Sequence, residues 1–459
     1  MRFLSLTREV GITANSYLVE ARGVRIVLDA GMHPKLEGHE AVPNFSLLGH
    51  LPVDAIVLTH AHQDHVGALP LLTRRYERSP IFMTRETARL ADIMLHNSVN
   101  VMTRQREELG LPDYPLFTHR CADLCRKNWV PVRPGYAFDP FADISTTSAK
   151  PGVVRMEFYR AGHILGSAGV RIEAGGKSLF YTGDVHTNAQ TIMKGAEFPT
   201  EGVDTLVMEC TRGDAPEPPN FTRASEQERF GELIRKAFQE DAALTIPVFA
   251  LGKTQELLGI IWTLRRAGKI PVCPVYIGGL STKITEIYDE FCEVEGRALP
   301  GFSLLQNISP YVVSGRDIDS LRPRKRCIYA LSSGMMTPNT LSNVFVRKLL
   351  EDDRQHLAFV GYCDPESPAG ILRRAKRGDR IVLDSSKPEQ ELRCNTHEFN
   401  FSAHAPRESL LEYAVKLKPS TILLVHGDAP AIEWFRQNLS ERLPTSRVLV
   451  PQPGEPIEL

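Results

Sequence analysis

Three histidines and an aspartate fall within six consecutive positions of this 459-residue chain, as His60-Ala61-His62-Gln63-Asp64-His65. Imidazole nitrogen and carboxylate oxygen are first-choice ligands for zinc. The apolar, β-branched run Ala55-Ile56-Val57-Leu58-Thr59 just before them predicts a buried strand. The cluster therefore sits where a strand hands over to its loop, a rigid place to mount a site. In an extended segment positions 60 and 62 point the same way, so both imidazoles can address one ion. Asp64 and His65, just past the strand, can turn toward a second. Two metals about 3.5–4 Å apart would polarise a phosphoryl oxygen and supply hydroxide near neutral pH. A polar turn with chance histidines is the plainer explanation, but four ligand-type side chains at this spacing argue against it.

Other strands end in the same kind of residue. Val24-Arg25-Ile26-Val27-Leu28 runs into Asp29, whose carboxylate could orient a ligand histidine from behind or simply form a turn. Val153 to Tyr159 predicts a strand leading to His163, which has Gly162 and Gly166 to let the backbone bend around it. Leu179-Phe180-Tyr181-Thr182-Gly183 leads to Asp184, and His186 beyond it is expected at the surface. A site with two metals still needs a bridging carboxylate and more nitrogens, and Asp184 and His163 supply those types. Thr205 to Met208 ends in Glu209, and Thr421 to Val425 ends in His426. Between them lies Ser402-Ala403-His404-Ala405, ahead of a helix predicted from Pro406 to Lys416.

Composition narrows the class. A chain of 459 residues exceeds one ordinary core, so two or three domains are expected. Net charge is −1, so a polyanion site must be local. Arg2, Arg8 and Glu9 with no apolar run after them do not make a signal peptide. No stretch approaches the ~20 apolar residues of a membrane span, so no membrane partner is expected. The eight cysteines are scattered without a C-x-x-C pair, which fits a reduced, cytoplasmic setting and structural thiols, Cys121 and Cys125 included. Helices are expected at 68–75 and 86–109, and loop with a short helix over 110–135. Residues 214–225 have the proline and polar content of a linker. From Ala242 to Gly361 strands alternate with helices, which predicts a parallel, helix-covered sheet. Residues 392–401 alternate as another strand would.

These residues together resemble the metallo-β-lactamase superfamily, specifically its β-CASP branch of RNA-processing nucleases, over nearly the whole chain from Leu18 to Asp428. The superfamily motifs are matched by Asp29, His60-x-His62-x-Asp64-His65, His163 and Asp184. The branch adds Glu209 in Met208-Glu209-Cys210-Thr211, His404 in Ser-Ala-His-Ala and His426 in Val-His-Gly. It also adds the segments Ile246 to Leu257 and Ser333-Gly334-Met335. The resemblance implies an α/β fold: a metallo-β-lactamase αββα sandwich with an inserted β-CASP domain of parallel-sheet type. The expected limits are 1–208 and 391–459 for the sandwich and 209–390 for the insert. It implies two zinc ions per chain, one on His60, His62 and His163, the other on Asp64, His65 and His426, bridged by Asp184. A bridging hydroxide would attack phosphorus, and His404, oriented by Glu209, would protonate the leaving 3′ oxygen. A carboxylate beside an imidazole favours the protonated ring, which suits that role. Asp29 would support the ligands from behind, while Lys253, Ser333, Gly334 and Ser402 would touch substrate.

The implied activity is a zinc-dependent ribonuclease acting on single-stranded RNA as an endonuclease, a 5′ exonuclease or both, with a homodimer among the expected assemblies. The alternatives are a DNA-directed nuclease of the branch, a small-molecule hydrolase such as a thioesterase, and a non-catalytic scaffold subunit. The insert argues against the thioesterase, and the filled ligand positions argue against the scaffold. Lys253 stands where the branch often has arginine, so phosphate would meet a point charge there and not a fork. Arg212 and Pro406 also depart from the branch pattern. The runs Arg322-Pro323-Arg324-Lys325-Arg326 and Arg373-Arg374-Ala375-Lys376-Arg377 are the most basic in the chain. Either they clamp RNA or they are a solvated face.

Overall fold

A computed structural model describes residues 1–142 and 152–459. The chain folds as two compact units, one of Met1–Ala189, Gly195–Glu217 and His404–Leu459, the other of Gln190–Lys194 and Pro218–Ala403.

The first unit holds two seven-stranded sheets. One runs in the order Pro456–Glu458, Arg2–Ser5, Tyr17–Ala21, Val24–Leu28, Ala55–Val57, Ile81–Thr84, Trp129–Val132. The other runs Arg447–Leu449, Thr421–Val425, Thr205–Glu209, Lys177–Tyr181, Ala168–Ala174, Val154–Arg160, Ala137–Phe138. Their facing sides form one apolar layer that includes Phe3, Val19, Leu28, Val57, Phe158, Val170, Leu179, Val207 and Val425. Strands such as Val24–Leu28 and Thr421–Val425 are buried along their whole length, because helices cover the outer faces. Helices Arg407–Leu417 and Ala429–Arg442 pack Leu410, Ala414, Ile432 and Phe435 onto Phe180, Met208 and Leu424. The helix Arg85–Glu108 packs on the strand Ile81–Thr84 and starts at Thr84, whose hydroxyl accepts from the Thr87 N–H. The result is the expected αββα sandwich.

The connections explain where the site lies. Val24–Leu28, Ala55–Val57 and Ile81–Thr84 are parallel neighbours. So are Lys177–Tyr181, Thr205–Glu209 and Thr421–Val425. Each set therefore delivers its C-terminal ends to one edge of its sheet, where open α/β sheets hold their ligands.

The second unit is a six-stranded, wholly parallel sheet in the order Tyr311–Val313, Val275–Gly278, Ile328–Leu331, Leu244–Pro247, His356–Phe359, Asn395–Glu398. Asn395–Glu398 pairs along its length with His356–Phe359, so these residues lie in the sheet of the second unit. The sequence expectation began the last sandwich segment at 391. Two further elements differ from the sequence reading. The helix Arg223–Gln239 follows the proline-bearing stretch directly, started by a reciprocal Thr222–Ser225 cap, and it buries Phe230, Leu233, Ile234 and Phe238. Trp129–Val132 is a strand inside the segment read as loop, since its pairing partner Ile81–Thr84 is remote in sequence.

Candidate metal centre

His60 lies three residues past the strand Ala55–Val57, and Thr59 between them is anchored by Asp29, which accepts from its N–H at 2.8 Å. Asp64 and His65 sit on a single helical turn, Gln63–Val66, so they are turned relative to His60 and His62 by local helix and not by strand alternation. His163 belongs to the turn between Val154–Arg160 and Ala168–Ala174, and its N–H donates to Ser167 Oγ at 3.1 Å. Gly162 has a φ of +70°, and a Cβ there would meet the His186 carbonyl oxygen at 2.6 Å, so the bend requires glycine. His186 is itself buried at 5% exposure, because that carbonyl contact and its N–H bond to Ala161 hold the segment inside. The expectation of a surface position was wrong.

Asp29 and His426 adopt positive φ values of 57° and 49° directly after their strands. Non-glycine residues avoid this region, so side chains kept there point to a constraint stronger than local preference.

The side chains converge in three groups. Ligand atoms of His60, His62, His163 and Asp184 lie within 4.8 Å of one another, as do those of Asp64, His65 and His426, and those of Asp184, Glu209 and His404. In the first, His62 Nδ1 is 3.2 Å from His60 Nε2 and 3.0 Å from His163 Nε2. Asp184 Oδ2 stands 3.5 Å from His60 Nε2 and 3.7 Å from His163 Nε2. In the second, Asp64 Oδ2 is 3.1 Å from His426 Nε2 and 3.7 Å from His65 Nε2. Asp184 Oδ1 stands 3.3 Å from His65 Nε2 and 3.2 Å from His426 Nδ1. One carboxylate thus presents a different oxygen to each group.

This donor set fits divalent cations. Asp184 Oδ1 is buried, and among the described residues no contact to it, those of His65 and His426 included, has hydrogen-bond geometry. His62 Nδ1 faces ring nitrogens of both His60 and His163 at hydrogen-bond distance, and the three cannot all carry protons. A buried excess of acceptors is costly unless a cation satisfies it. The surrounding charges act on each group differently. Burial and the nearby His65 hold His60 well below the usual imidazole range. Burial also opposes charge on His65, but Asp184, Asp64 and Asp29 outweigh it and hold that ring well above the usual range. Burial would raise Asp184, yet His426, His65 and His60 bring it well below the usual carboxylate range.

Asp29 faces away from this convergence. Its Oδ2 is 2.8 Å from His65 Nδ1 and accepts from Tyr181 Oη at 2.9 Å, while Thr59 donates to both oxygens. It fixes which nitrogen of His65 faces inward. Asn15 and Tyr17 were missed at the sequence level. Asn15 Nδ2 lies 3.2 Å from His65 Nε2 and from the Asp64 carbonyl, and Tyr17 Oη donates to Asn15 Oδ1 at 3.0 Å. Their one sequence signal is polar groups in an otherwise apolar strand start.

His404 adjoins the seven ligand-type residues, with its ring centroid 4.6 Å from that of His163. Its Nδ1 is 3.1 and 3.0 Å from the two Glu209 oxygens, and its Nε2 is 4.0 Å from Asp184 Oδ2. Glu209 is 1% exposed and also accepts from the Val185 N–H at 2.7 Å. Lys253, Ser333, Gly334 and Ser402 lie in the second unit. The Lys253 ammonium donates to the Phe401 carbonyl, and Arg223 donates to the Ser402 carbonyl at 3.4 Å. Ser333 Oγ contacts Thr337 Oγ1 at 3.2 Å, and a Cβ on Gly334 would meet the Phe249 ring at 3.0 Å.

Comparison with known proteins gives three family matches along the chain. Residues 11–236 match the metallo-beta-lactamase superfamily, residues 254–372 the Beta-Casp domain, and residues 389–451 the Zn-dependent metallo-hydrolase RNA specificity domain. The chain is 27% identical to Ribonuclease TTHA0252 of Thermus thermophilus, with 93% of each chain covered. It is 28% identical to an RNase J-like protein of Methanocaldococcus jannaschii, over 89% of this chain and 88% of that one. It is 27% identical to Cleavage and polyadenylation specificity factor 73 of Drosophila melanogaster, over 93% of this chain and 59% of that one. A crystal structure of a protein of unknown function from Enterococcus faecalis V583 shares the fold, with a TM-score of 0.55 and 14% identity over 100% of both chains. The three matched segments, in this order and around a convergent histidine–aspartate site, place the chain in the β-CASP branch of the metallo-β-lactamase superfamily.

Proposed function

We propose that this protein is a zinc-dependent ribonuclease that hydrolyses phosphodiester bonds of single-stranded RNA. The observation that carries the reading is the Glu209–His404 pair, which stands beside two ligand groups joined by Asp184. A hydrolase that needs only an activated water requires no such additional imidazole. The matched RNA specificity domain and the ribonuclease relatives support RNA as the substrate.

His60, His62 and His163 would hold one zinc ion and Asp64, His65 and His426 the other, with Asp184 shared. Bound zinc would polarise the scissile phosphoryl group and lower the pKa of water toward neutrality. Glu209 accepts from His404 Nδ1–H, and Nε2 would carry a proton and donate it to the departing 3′ oxygen. With a metal bound, Asp29 accepting from His65 Nδ1–H would leave the unprotonated Nε2 facing inward. Asp184, too crowded by imidazoles to protonate readily, keeps both oxygens available.

Zinc-reconstituted protein should cut end-labelled single-stranded RNA and leave the corresponding DNA intact. Comparing 5′-phosphate with 5′-hydroxyl RNA separates 5′ exonuclease from endonuclease action. Loss of cutting with chelator and return with zinc is expected. An unchanged rate in chelator, or no cutting of RNA after zinc loading, would overturn the reading.

A further inference from the structure

The strand Tyr311–Val313 forms the outer edge of the six-stranded sheet. Parallel register sets Tyr311 beside Tyr276, and Tyr276 beside Tyr329. The three rings form a stacked row. Tyr311 and Tyr276 have centroids 5.1 Å apart at 25°, and Tyr276 and Tyr329 have centroids 4.6 Å apart at 14°. Tyr329 in turn rests on Phe345, centroids 4.4 Å apart. Exposure rises outward along the row, from 0% at Tyr329 to 8% at Tyr276 and 57% at Tyr311. A row rooted in the core therefore ends in a ring open to solvent.

The same row carries a basic loop. Tyr329 Oη accepts from the Arg324 N–H at 3.0 Å and donates to the Arg322 carbonyl at 3.4 Å. This latches Arg322-Pro323-Arg324-Lys325-Arg326 to the stack. Lys348 pins the segment before it through the carbonyls of Ile318, Asp319 and Leu321. Lys325 and Arg326 are offset by Asp241, at 3.0 and 3.1 Å. Arg322 instead donates to backbone carbonyls of Asp319 and Leu321, so those contacts leave its charge unneutralised.

We propose that Tyr311 is a nucleobase-stacking platform for single-stranded RNA, with the 322–326 loop contacting the adjoining phosphates. This rests on the ribonuclease reading and adds a binding site in the second unit. A ring already stacked and held by strand pairing gives up little freedom when a base extends the stack. Every base has a π face, so such a platform tolerates any sequence. Arginine and lysine beside it add a salt-dependent term through counterion release. A large exposed aromatic on an open sheet edge is otherwise an association hazard, and a second copy pairing edge to edge is the competing occupant.

The test uses the full chain carrying Asp184→Ala, so that RNA is bound without being cut, and a fluorescein-labelled 30-nucleotide poly-U RNA at fixed salt. Adding Tyr311→Ala should weaken binding about 5- to 160-fold, the range for loss of one aromatic–base stack. Tyr311→Phe should bind within about twofold of the parent, because the π face is retained. In Tyr311→Trp, indole fluorescence should be quenched as RNA is added. Tyr311→Ala should keep the parent's far-ultraviolet circular dichroism spectrum and melting profile, which shows that the fold is sound. Equal RNA affinity for parent and Tyr311→Ala would overturn the platform and leave the ribonuclease reading standing. A change in sedimentation with unchanged affinity would overturn it in favour of edge pairing. A wild-type chain that neither binds nor cuts RNA would overturn both.

Discussion

The ligand cluster of the first unit and the basic runs of the second treat charged side chains in opposite ways. In the first, His60, His65, His163, Asp184, Glu209 and His426 are all buried, and each is held by others of the set. In the second, the basic runs lie outside and are partly spent on local pairs, such as Lys325 and Arg326 with Asp241 and Arg373 with Glu398. Burial makes charge arrangement expensive and therefore specific. Exposure makes it cheap, screened by salt and replaceable. Chemistry belongs to the first kind of region. Recognition of a long polyanion can be spread over the second, where no single charge decides the outcome.

The largest effect should follow loss of the shared carboxylate. Asp184→Ala removes the one side chain that addresses both ligand groups, so RNA cleavage should fall below detection. Far-ultraviolet circular dichroism should stay close to wild type, because the neighbouring strands are held by Phe180, Leu206 and Leu424 and not by Asp184. Near wild-type cutting by this variant would remove the shared role of Asp184.

His404→Ala comes next. Its rate should drop roughly 10²–10⁴-fold, the span for a missing general acid, with metal content unchanged. RNA carrying a 3′-thio leaving atom should lose much less, since a thiolate departs without a proton. An equal defect on both substrates would move His404 into substrate binding.

A smaller effect is expected one layer back. Asp29→Asn should weaken zinc binding about 10- to 100-fold in a competition with a fluorescent chelator, through poorer orientation of His65. Unchanged affinity would mean that Tyr181, Thr59 and the local turn orient the ring without the carboxylate.

The smallest effect lies in the second unit. Lys325→Ala removes one partner of an exposed pair with Asp241, so its melting temperature should stay within about 2 °C of wild type. A larger drop would show that the basic loop is a structural brace, which would weaken the contrast with the ligand cluster.

Much of the site was legible in the sequence because each ligand-type residue ends an apolar run. Asp29, Glu209 and His426 each follow or close a fully buried strand, and an ionisable group has no packing reason to be there. The H-x-H-x-D-H spacing carried the rest, and the turn expected of Asp64 and His65 past the strand is a short helix. The sandwich was legible through its motifs and the second sheet through its strand–helix alternation. Other features depend on pairing between distant segments. Trp129–Val132 is a strand only because Ile81–Thr84 lies beside it. Asn395–Glu398 joins the second sheet through His356–Phe359. The row of Tyr276, Tyr311 and Tyr329 exists only once three strands are in register. His186 was misplaced because nothing local shows that its carbonyl must close against Gly162.

The sharing of Asp184 between two histidine–aspartate groups makes metal content the deciding property. Elemental analysis of the purified full chain, after zinc reconstitution and removal of loose metal, tests it most directly. The arrangement of two ligand groups sharing Asp184 predicts about two zinc ions per chain. One equivalent or none would contradict it.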